Sequence, residues 1–337
     1  MKERELIEFI TGMAGRDAPG LLCGIGDDCA VIEKTGDTAW LLTMDTLIEG
    51  IHFKLDHHPP FELGRKAVSV NVSDIAAMGG ESRFALLSVG FPTALARSWT
   101  TRFFDGIVDA CKSYGCLLIG GDTVRSEDAI SLTLTLIGEM QTAEVVYRRG
   151  ALPGDNIWVS GPLGLAAAGL NLCLQTDESV REEDGVAVAL AAHLNPTARF
   201  RLGPVLARRR LARAMMDLSD GLATDLAHLC KRSGVGAVVE ERLLYRHPAV
   251  LAVADRLGLD PLSMMLSGGE DYELLFAAPP EYKDSILSIA EQYSMPFQQV
   301  GTIEQGSGVR LLREGSDGKA GELLDISYQG FDHFADS

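Results

Sequence analysis

Apolar positions in the first half of the chain fall into two textures. Short apolar or alternating runs at Ala39–Met44, Phe84–Phe91, Leu117–Ile119 and Ile130–Glu139 predict strands. Longer runs at Glu62–Met78 and Trp99–Tyr114, with apolar residues three and four apart, predict helices. This mixed order gives an α+β first half. The stretch RRGALPGDNIWVSG, Arg148–Gly161, reads as a boundary, with a turn at Pro153-Gly154-Asp155 and a new strand from Ile157 to Ser160. Beyond it, strands expected at Ala214–Met216, Gly236–Glu240, Glu273–Ala278 and Gln298–Ile303 alternate with helices. The helices are expected at Leu163–Leu174, Ala187–His193, Thr197–Arg209, Leu222–Ser233, Ala249–Leu257 and Glu281–Tyr293. That alternation predicts an α/β layer, and with it two domains, residues 1–150 and 151–337.

Composition narrows the function. The chain has 337 residues, 46% hydrophobic and 23% charged, the balance of a globular protein with sizeable cores. A net charge of −17 argues against nucleic acid and against an anionic membrane surface, both of which are bound by basic faces. Six scattered cysteines without a CxxC pair read as reduced thiols of a cytoplasmic protein. The opening MKERELIEFI reads as a charged amphipathic helix and not a signal peptide. The longest uncharged run, Ile157–Leu174, is broken by Gly161, Pro162 and Gly164, which excludes a membrane span.

Carboxylates are set into this pattern in a recurring way. LCGIGDDCAV, Leu22–Val31, places Asp27 and Asp28 side by side in an apolar, glycine-bearing run. The same texture returns around Asp45, Asp74, Asp122, Asp217 with Asp220, and Glu270 with Asp271. Singly, such an acid is most often a turn former or a helix cap; Ser219 or Asp220 is placed to cap the helix that Gly234 would end. Asn71 and Asp74, three apart, read by themselves as a polar stripe on a helix. Together the acids say more. Two like charges about 4 Å apart repel by on the order of 4 kcal/mol at an effective dielectric near 20. Several such pairs would match the whole stability of a domain, about 5–15 kcal/mol. Either the acidic turns lie apart or hard cations join them, and an oxygen-only ligand set favours Mg²⁺. Several Mg²⁺ ions point to a polyphosphate, whose oxygens glycine N–H groups can approach at Gly24, Gly26, Gly120, Gly121, Gly268 and Gly269. Walker, protein-kinase, GxSxG and HExxH motifs are absent from the sequence.

Taken in order, GIGDDCAVI, LLTMDTLIEGIHF, AVSVNVSDIAAMGG, LIGGDT, RRGALPGD, MDLSDGLATDL, SGGEDYEL and the tail GFDHF span nearly the whole chain. They resemble the thiamine-monophosphate kinase family, of the superfamily of aminoimidazole ribonucleotide synthetase. The resemblance implies an N-terminal α+β domain whose sheet pairs across a homodimer into a barrel, and an α/β C-terminal domain that completes the cleft. It implies transfer of the γ-phosphate of ATP to thiamine monophosphate with several Mg²⁺ ions. On the family's motifs, Asp28, Thr43, Met44 (through its carbonyl), Asp45, Asp74, Asp122, Asp217 and Asp220 fall at metal-ligand positions. Gly121, Asp122, Arg148 and Ser219 fall at ATP contacts, and His52, Glu270 and Phe331 around the acceptor. Asp45, Asp122, Asp220 and Arg148 are the expected catalytic groups; Arg149 adjoins Arg148, and Asp27 lies within the motif. Two alternatives stay open at this point: another ATP-using enzyme of the superfamily, and a non-catalytic metal-binding protein. His57 and His58, before Pro59-Pro60, read as a solvated turn, and Trp40, Trp99, Trp158, Met215-Met216 and Met264-Met265 as core.

Overall fold

A computed structural model describes residues 3–14, 18–175, 185–315 and 320–330. The first half forms a six-stranded sheet from β1 (Leu21–Cys23), β2 (Ala30–Thr35), β3 (Thr38–Ile48), β4 (Glu81–Phe91), β5 (Leu117–Arg125) and β6 (Ser131–Gln141), in the order β1-β2-β3-β6-β4-β5. All pairs are antiparallel except β4–β5, whose parallel pairing follows from the crossover helix α3 (Arg97–Tyr114). The short β1 and β2 escape the sequence reading, because the glycines and acids between them break any periodic signal. GIGDDC is the turn that joins them.

Helix α2 (Pro60–Ala77) lies between this sheet and the second one. It starts on Pro60, which needs no N–H there. Nearly all its side chains are buried, the polar Lys66, Ser69, Asn71 and Ser73 among them. Glycines let α3 lie close against it. A Cβ on Gly106 would stand 2.0 Å from the Phe61 carbonyl oxygen, and one on Gly64 2.2 Å from that of Phe103.

The second sheet runs β13 (Ala320–Asp325), β12 (Val309–Glu314), β9 (Gly236–Glu240), β11 (Gln298–Glu304), β7 (Asn156–Val159), β10 (Leu274–Ala278), β8 (Ala214–Asp217). Helices do alternate with its strands, but only β9–β12 is parallel; the other pairings are antiparallel. Its period of two divides the residues between two cores. Trp158, Met215, Leu274, Phe276 and Ala278 face the first half, while Ile157, Val159, Met216, Leu275 and Ala277 face α4 (Leu165–Cys173), α7 (Leu222–Ser233) and α8 (Pro248–Leu257). Sequence reading missed α9 (Pro261–Ser267) and the β12–β13 hairpin, both short. Trp158 and the four methionines are buried, as expected. Trp40 is not core: it sits half-buried on the outer face of the first sheet, with Lys34 Nζ 3.9 Å from its ring centre. His58 is not solvated either, being 1% exposed. No helix among the described residues is long and apolar enough to cross a membrane.

Because the α2–α3 contact leaves no room for a methyl group, Gly106→Ala is expected to destabilise the protein by about 1–3 kcal/mol, the usual cost of overpacking. Thermal denaturation of the variant beside the parent measures this; an unchanged midpoint would show that the helices can part without penalty.

Candidate active site

Three carboxylates from three parts of the chain meet where the halves join. Asp28 leaves the turn after β1, Asp74 the last turn of α2, and Asp217 the end of β8; each offers an oxygen within 4.8 Å of the others. Asp28 Oδ2 and Asp217 Oδ2 are buried without a hydrogen-bond partner among the described residues. Asp74 Oδ2 accepts the Thr43 hydroxyl at 2.5 Å. Asp45 belongs to the same group. β2 pairs with β3 only as far as Leu42, and the Asp45 N–H donates instead to Asn71 Oδ1 at 3.2 Å. Asn71 donates in turn to the Ala67 carbonyl at 3.1 Å, so the polar stripe of Asn71 and Asp74 faces β3, with Asn71 buried and Asp74 half-buried. Met44 points its side chain to the outer face, 64% exposed, and can offer this region only backbone.

Arg148, from the segment between the halves, answers part of the charge. Its Nη2 and Nε donate to Asp28 Oδ1 at 2.6 and 3.1 Å. Burial alone would lower the guanidinium pKa, but Asp28 holds it above its ordinary value. The neighbouring Asp27 turns elsewhere and accepts the Arg148 backbone N–H at 3.1 Å. Arg149 is exposed and lies over the Tyr147 ring, 4.6 Å from its centre, so Arg148 alone of the two points into the cluster. Burial, then repulsion from Asp28, pushes Asp27 up to about 6 and Asp217 up to about 7. Burial lifts Asp45 to about 6 and, with Asp45 beside it, Asp74 well above the usual range.

Ser219 and Asp220 follow β8 at the rim. Neither caps α7: the N-cap is Gly221, at φ +108°, and Asp225 from inside the helix accepts the N–H groups of Asp220 and Gly221 at 3.1 and 3.0 Å. The helix does end at Gly234, in the left-handed conformation. The Ser219 carbonyl accepts the Glu270 N–H at 2.7 Å, which lays the two acidic loops against each other. Glu270 pairs with Lys66 Nζ at 2.6 Å and His193 Nδ1 at 3.0 Å. Tyr272 is buried, its N–H donates to the Leu218 carbonyl at 2.8 Å, and burial, then Glu270 and the acids of the cluster, push its phenol up. His52 sits just past β3, its Nδ1 accepting the Ile48 N–H at 3.0 Å. Phe331 lies outside the described residues; the preceding Gly330 donates its N–H to Thr224 at 2.7 Å, beside Asp220.

Gly121 and Asp122 stand apart. They lie on edge strand β5, exposed, and the sheet row Asp45–Leu134–Leu87–Gly121 puts three strand spacings, roughly 14 Å, between Gly121 and Asp45. A Cβ at Gly121 would stand 1.8 Å from the Leu87 carbonyl oxygen, so only glycine lets β5 pair there. Lys66, Asn71, His193, Asp225 and Tyr272 were not anticipated as site residues. The Glu62–Met78 run gave no signal for Lys66, which falls on one helical stripe with Glu62, Arg65, Ser69 and Ser73 and reads as part of a polar face.

Buried, unpaired carboxylate oxygens facing one another fit a hard divalent cation held by oxygen ligands, the chemistry of Mg²⁺. The class follows from fold and cluster together. Residues 26–140 match the family model of the AIR synthase related protein, N-terminal domain, and residues 153–313 that of the AIR synthase related protein, C-terminal domain. Among curated relatives, the thiamine-monophosphate kinases of Haemophilus influenzae and Aquifex aeolicus are 37% and 38% identical over 317 and 310 residues. The alignments cover 93% and 92% of this chain and 92% of each relative. The solved structure of AaThiL complexed with AMPPCP and TMP is 35% identical with a TM-score of 0.83, over 99% of this chain and 97% of that one. The chain thus belongs to the AIR synthase related family, and within it to the thiamine-monophosphate kinases.

The raised carboxylates set a pH dependence whose sign can be worked out. Their folded pKa values, about 6 to 7, lie above an unfolded value of about 3.9, so the folded state holds the extra protons. The associated stability is complete below about pH 4 and is lost as pH rises through 6 and 7. Metal-free protein is therefore expected to melt higher at pH 6 than at pH 8, and saturating Mg²⁺ to remove most of the difference. Asp217→Asn is expected to raise the metal-free midpoint at pH 8 and to blunt the Mg²⁺ effect. Calorimetry of both proteins with EDTA and with Mg²⁺ checks this, and a metal-free midpoint that rises from pH 6 to pH 8 contradicts it.

Proposed function

We propose that this chain phosphorylates thiamine monophosphate to thiamine diphosphate, with ATP as the donor, by direct in-line transfer in the cleft between its halves. The observation that carries the reading is the pair of buried, partnerless oxygens of Asp28 and Asp217 beside Arg148, in a chain whose relatives are thiamine-monophosphate kinases. Mg²⁺ held by Asp28, Asp74 and Asp217, with Asp45, Asp220, the Thr43 hydroxyl and the Met44 carbonyl contributing, would neutralise the phosphates; Asp122, on the far edge of the sheet, would join a metal only where a second copy brings it to the cleft. Arg148 binds a phosphate oxygen once released from Asp28, and Ser219 and Gly121 offer N–H and hydroxyl donors to the nucleotide. His52, Glu270 and Phe331 hold the acceptor. A phosphomonoester has its second pKa near 6 and is already largely dianionic at neutral pH, so its own oxygen is the nucleophile. Neither a general base nor a covalent phosphoenzyme is needed, and the protein's task is to bring two anions together in line.

Two further features support expectations about the whole molecule. The outer face of the first sheet exposes Met44, Phe84, Leu86, Leu117 and Ile119, an apolar surface suited to a second copy, and pairing there would bury Gly121 and Asp122. We read the protein as a homodimer on that ground. All six cysteines are free thiols, in keeping with a cytoplasmic location.

Purified protein given ATP, Mg²⁺ and thiamine monophosphate is expected to yield thiamine diphosphate, resolved by chromatography, and EDTA to stop the reaction. Asp45→Asn is expected to lower kcat by about a hundredfold or more with the fold retained. Full turnover in that variant would remove Asp45 from the mechanism. With ATP chiral at the γ-phosphorus, the product is expected to be inverted; retention would mean two successive transfers.

A further inference from the structure

Lys66 is among the largest fully buried side chains of the molecule and takes no part in the acidic cluster. It leaves the middle of α2 and ends between two groups, with Nζ 2.6 Å from Glu270 Oε1 and 3.2 Å from the His193 carbonyl oxygen. The other Glu270 oxygen, Oε2, lies 3.0 Å from His193 Nδ1. One carboxylate thus has a basic nitrogen close to each oxygen, while a quarter of its side chain remains exposed. Its backbone is held as well: φ is +68°, and the N–H is tied to the Ser219 carbonyl. Burial would raise the Glu270 pKa, but Lys66 and then His193 hold it well below the carboxylate range. Burial lowers the pKa of His193, whose Nδ1 faces Glu270 Oε2.

The same histidine backs a second loop. His58 packs its ring 6.0 Å from that of His193, with Nε2 2.8 Å from the Leu194 carbonyl oxygen, and its other side meets Phe53. Phe53 follows His52 directly. The two loops that carry His52 and Glu270 are therefore braced on one support, built from Lys66, His193 and His58.

We propose that Lys66 and His193 are positioning residues for the acceptor substrate, holding the Glu270 carboxylate in one orientation so that it presents a fixed hydrogen-bond-accepting edge to an N–H donor of that substrate. This deepens the proposed function and rests on Glu270 lining the acceptor site. Lys66 and Glu270 together carry no net charge, so the group acts as an oriented acceptor and not as a free anion that would attract any cation. A carboxylate free to rotate would still be negative but would lose this selection.

Steady-state kinetics on a double-mutant cycle test the proposal. Glu270→Gln is expected to raise KM for thiamine monophosphate about tenfold or more, with KM for ATP and kcat within about threefold of the parent. Lys66→Met is expected to do the same, and Lys66→Met/Glu270→Gln to be no worse than Glu270→Gln alone, within about twofold. His193→Gln, which keeps a side-chain donor, is expected to raise only the acceptor KM, by roughly two- to fivefold. If Glu270→Gln leaves that KM unchanged, the assignment of Glu270 to the acceptor site fails and takes the proposal with it. If Glu270→Gln raises it while Lys66→Met does not, or if the Lys66→Met effect adds in full on the Glu270→Gln background, positioning by Lys66 is overturned. Should Lys66→Met fail to fold, His193→Gln decides: a raised acceptor KM alone supports the proposal, and an unchanged one overturns it.

Discussion

Several carboxylates share one buried seam, and most of the architecture around them follows from that. A carboxylate oxygen taken out of water without a partner is costly, and here Asp28 and Asp217 each bury one. The fold tolerates this in two ways. It supplies a partial counter-charge through Arg148, and it raises the pKa of Asp45 to about 6 and of Asp217 itself to about 7, so that these acids take up protons more readily. Both answers are provisional in chemical terms, since a divalent cation can replace each of them and also bind an oligophosphate.

Helix α2 is the element that makes the crowding possible. Packed between the first sheet, α3 and the second sheet, it carries the buried Lys66 and Asn71 and the half-buried Asp74. Asn71 fixes β3 at Asp45, Asp74 joins the cluster, and Lys66 holds Glu270. Packed against both halves, it ties the acidic cluster and the Glu270 loop to one backbone. The alternation of β7, β8 and β10 between two cores has the same consequence, because those strands cannot shift without disturbing both. Arg148 lies on the segment that joins the halves, and its length of reach is therefore fixed by their docking.

Much of this was legible from the chain. Long periodic segments such as Glu62–Met78 and Leu222–Ser233 became helices with nearly the expected ends, since apolar spacing and the cap at Gly234 act locally. The recurring acid-and-glycine turns marked the residues that converge, Asp28, Asp74 and Asp217 among them. What was not legible depends on distant contacts. Nothing near His58 in sequence shows that Leu194 and His193 will enclose it. Strand direction in the second sheet is set by which strands become neighbours, and alternation with helices misses the antiparallel pairings. Asp225, from inside the helix, took over the capping that Ser219 and Asp220 were expected to perform. Gly121 and Asp122 read as part of the same texture as the cluster, yet they occupy a separate, exposed sheet edge.

The central claim is that the Asp28–Asp74–Asp217 cluster exists to hold a divalent cation. Crystals of the protein grown with a nonhydrolysable ATP analogue and Mn²⁺ in place of Mg²⁺ give the most direct view, through the anomalous signal of the metal. The account predicts a strong peak within coordination distance, about 2–2.5 Å, of oxygens from all three side chains, with Arg148 turned from Asp28 toward phosphate. Peaks elsewhere in the cleft, with the three carboxylates still unligated and Arg148 still on Asp28, would contradict it.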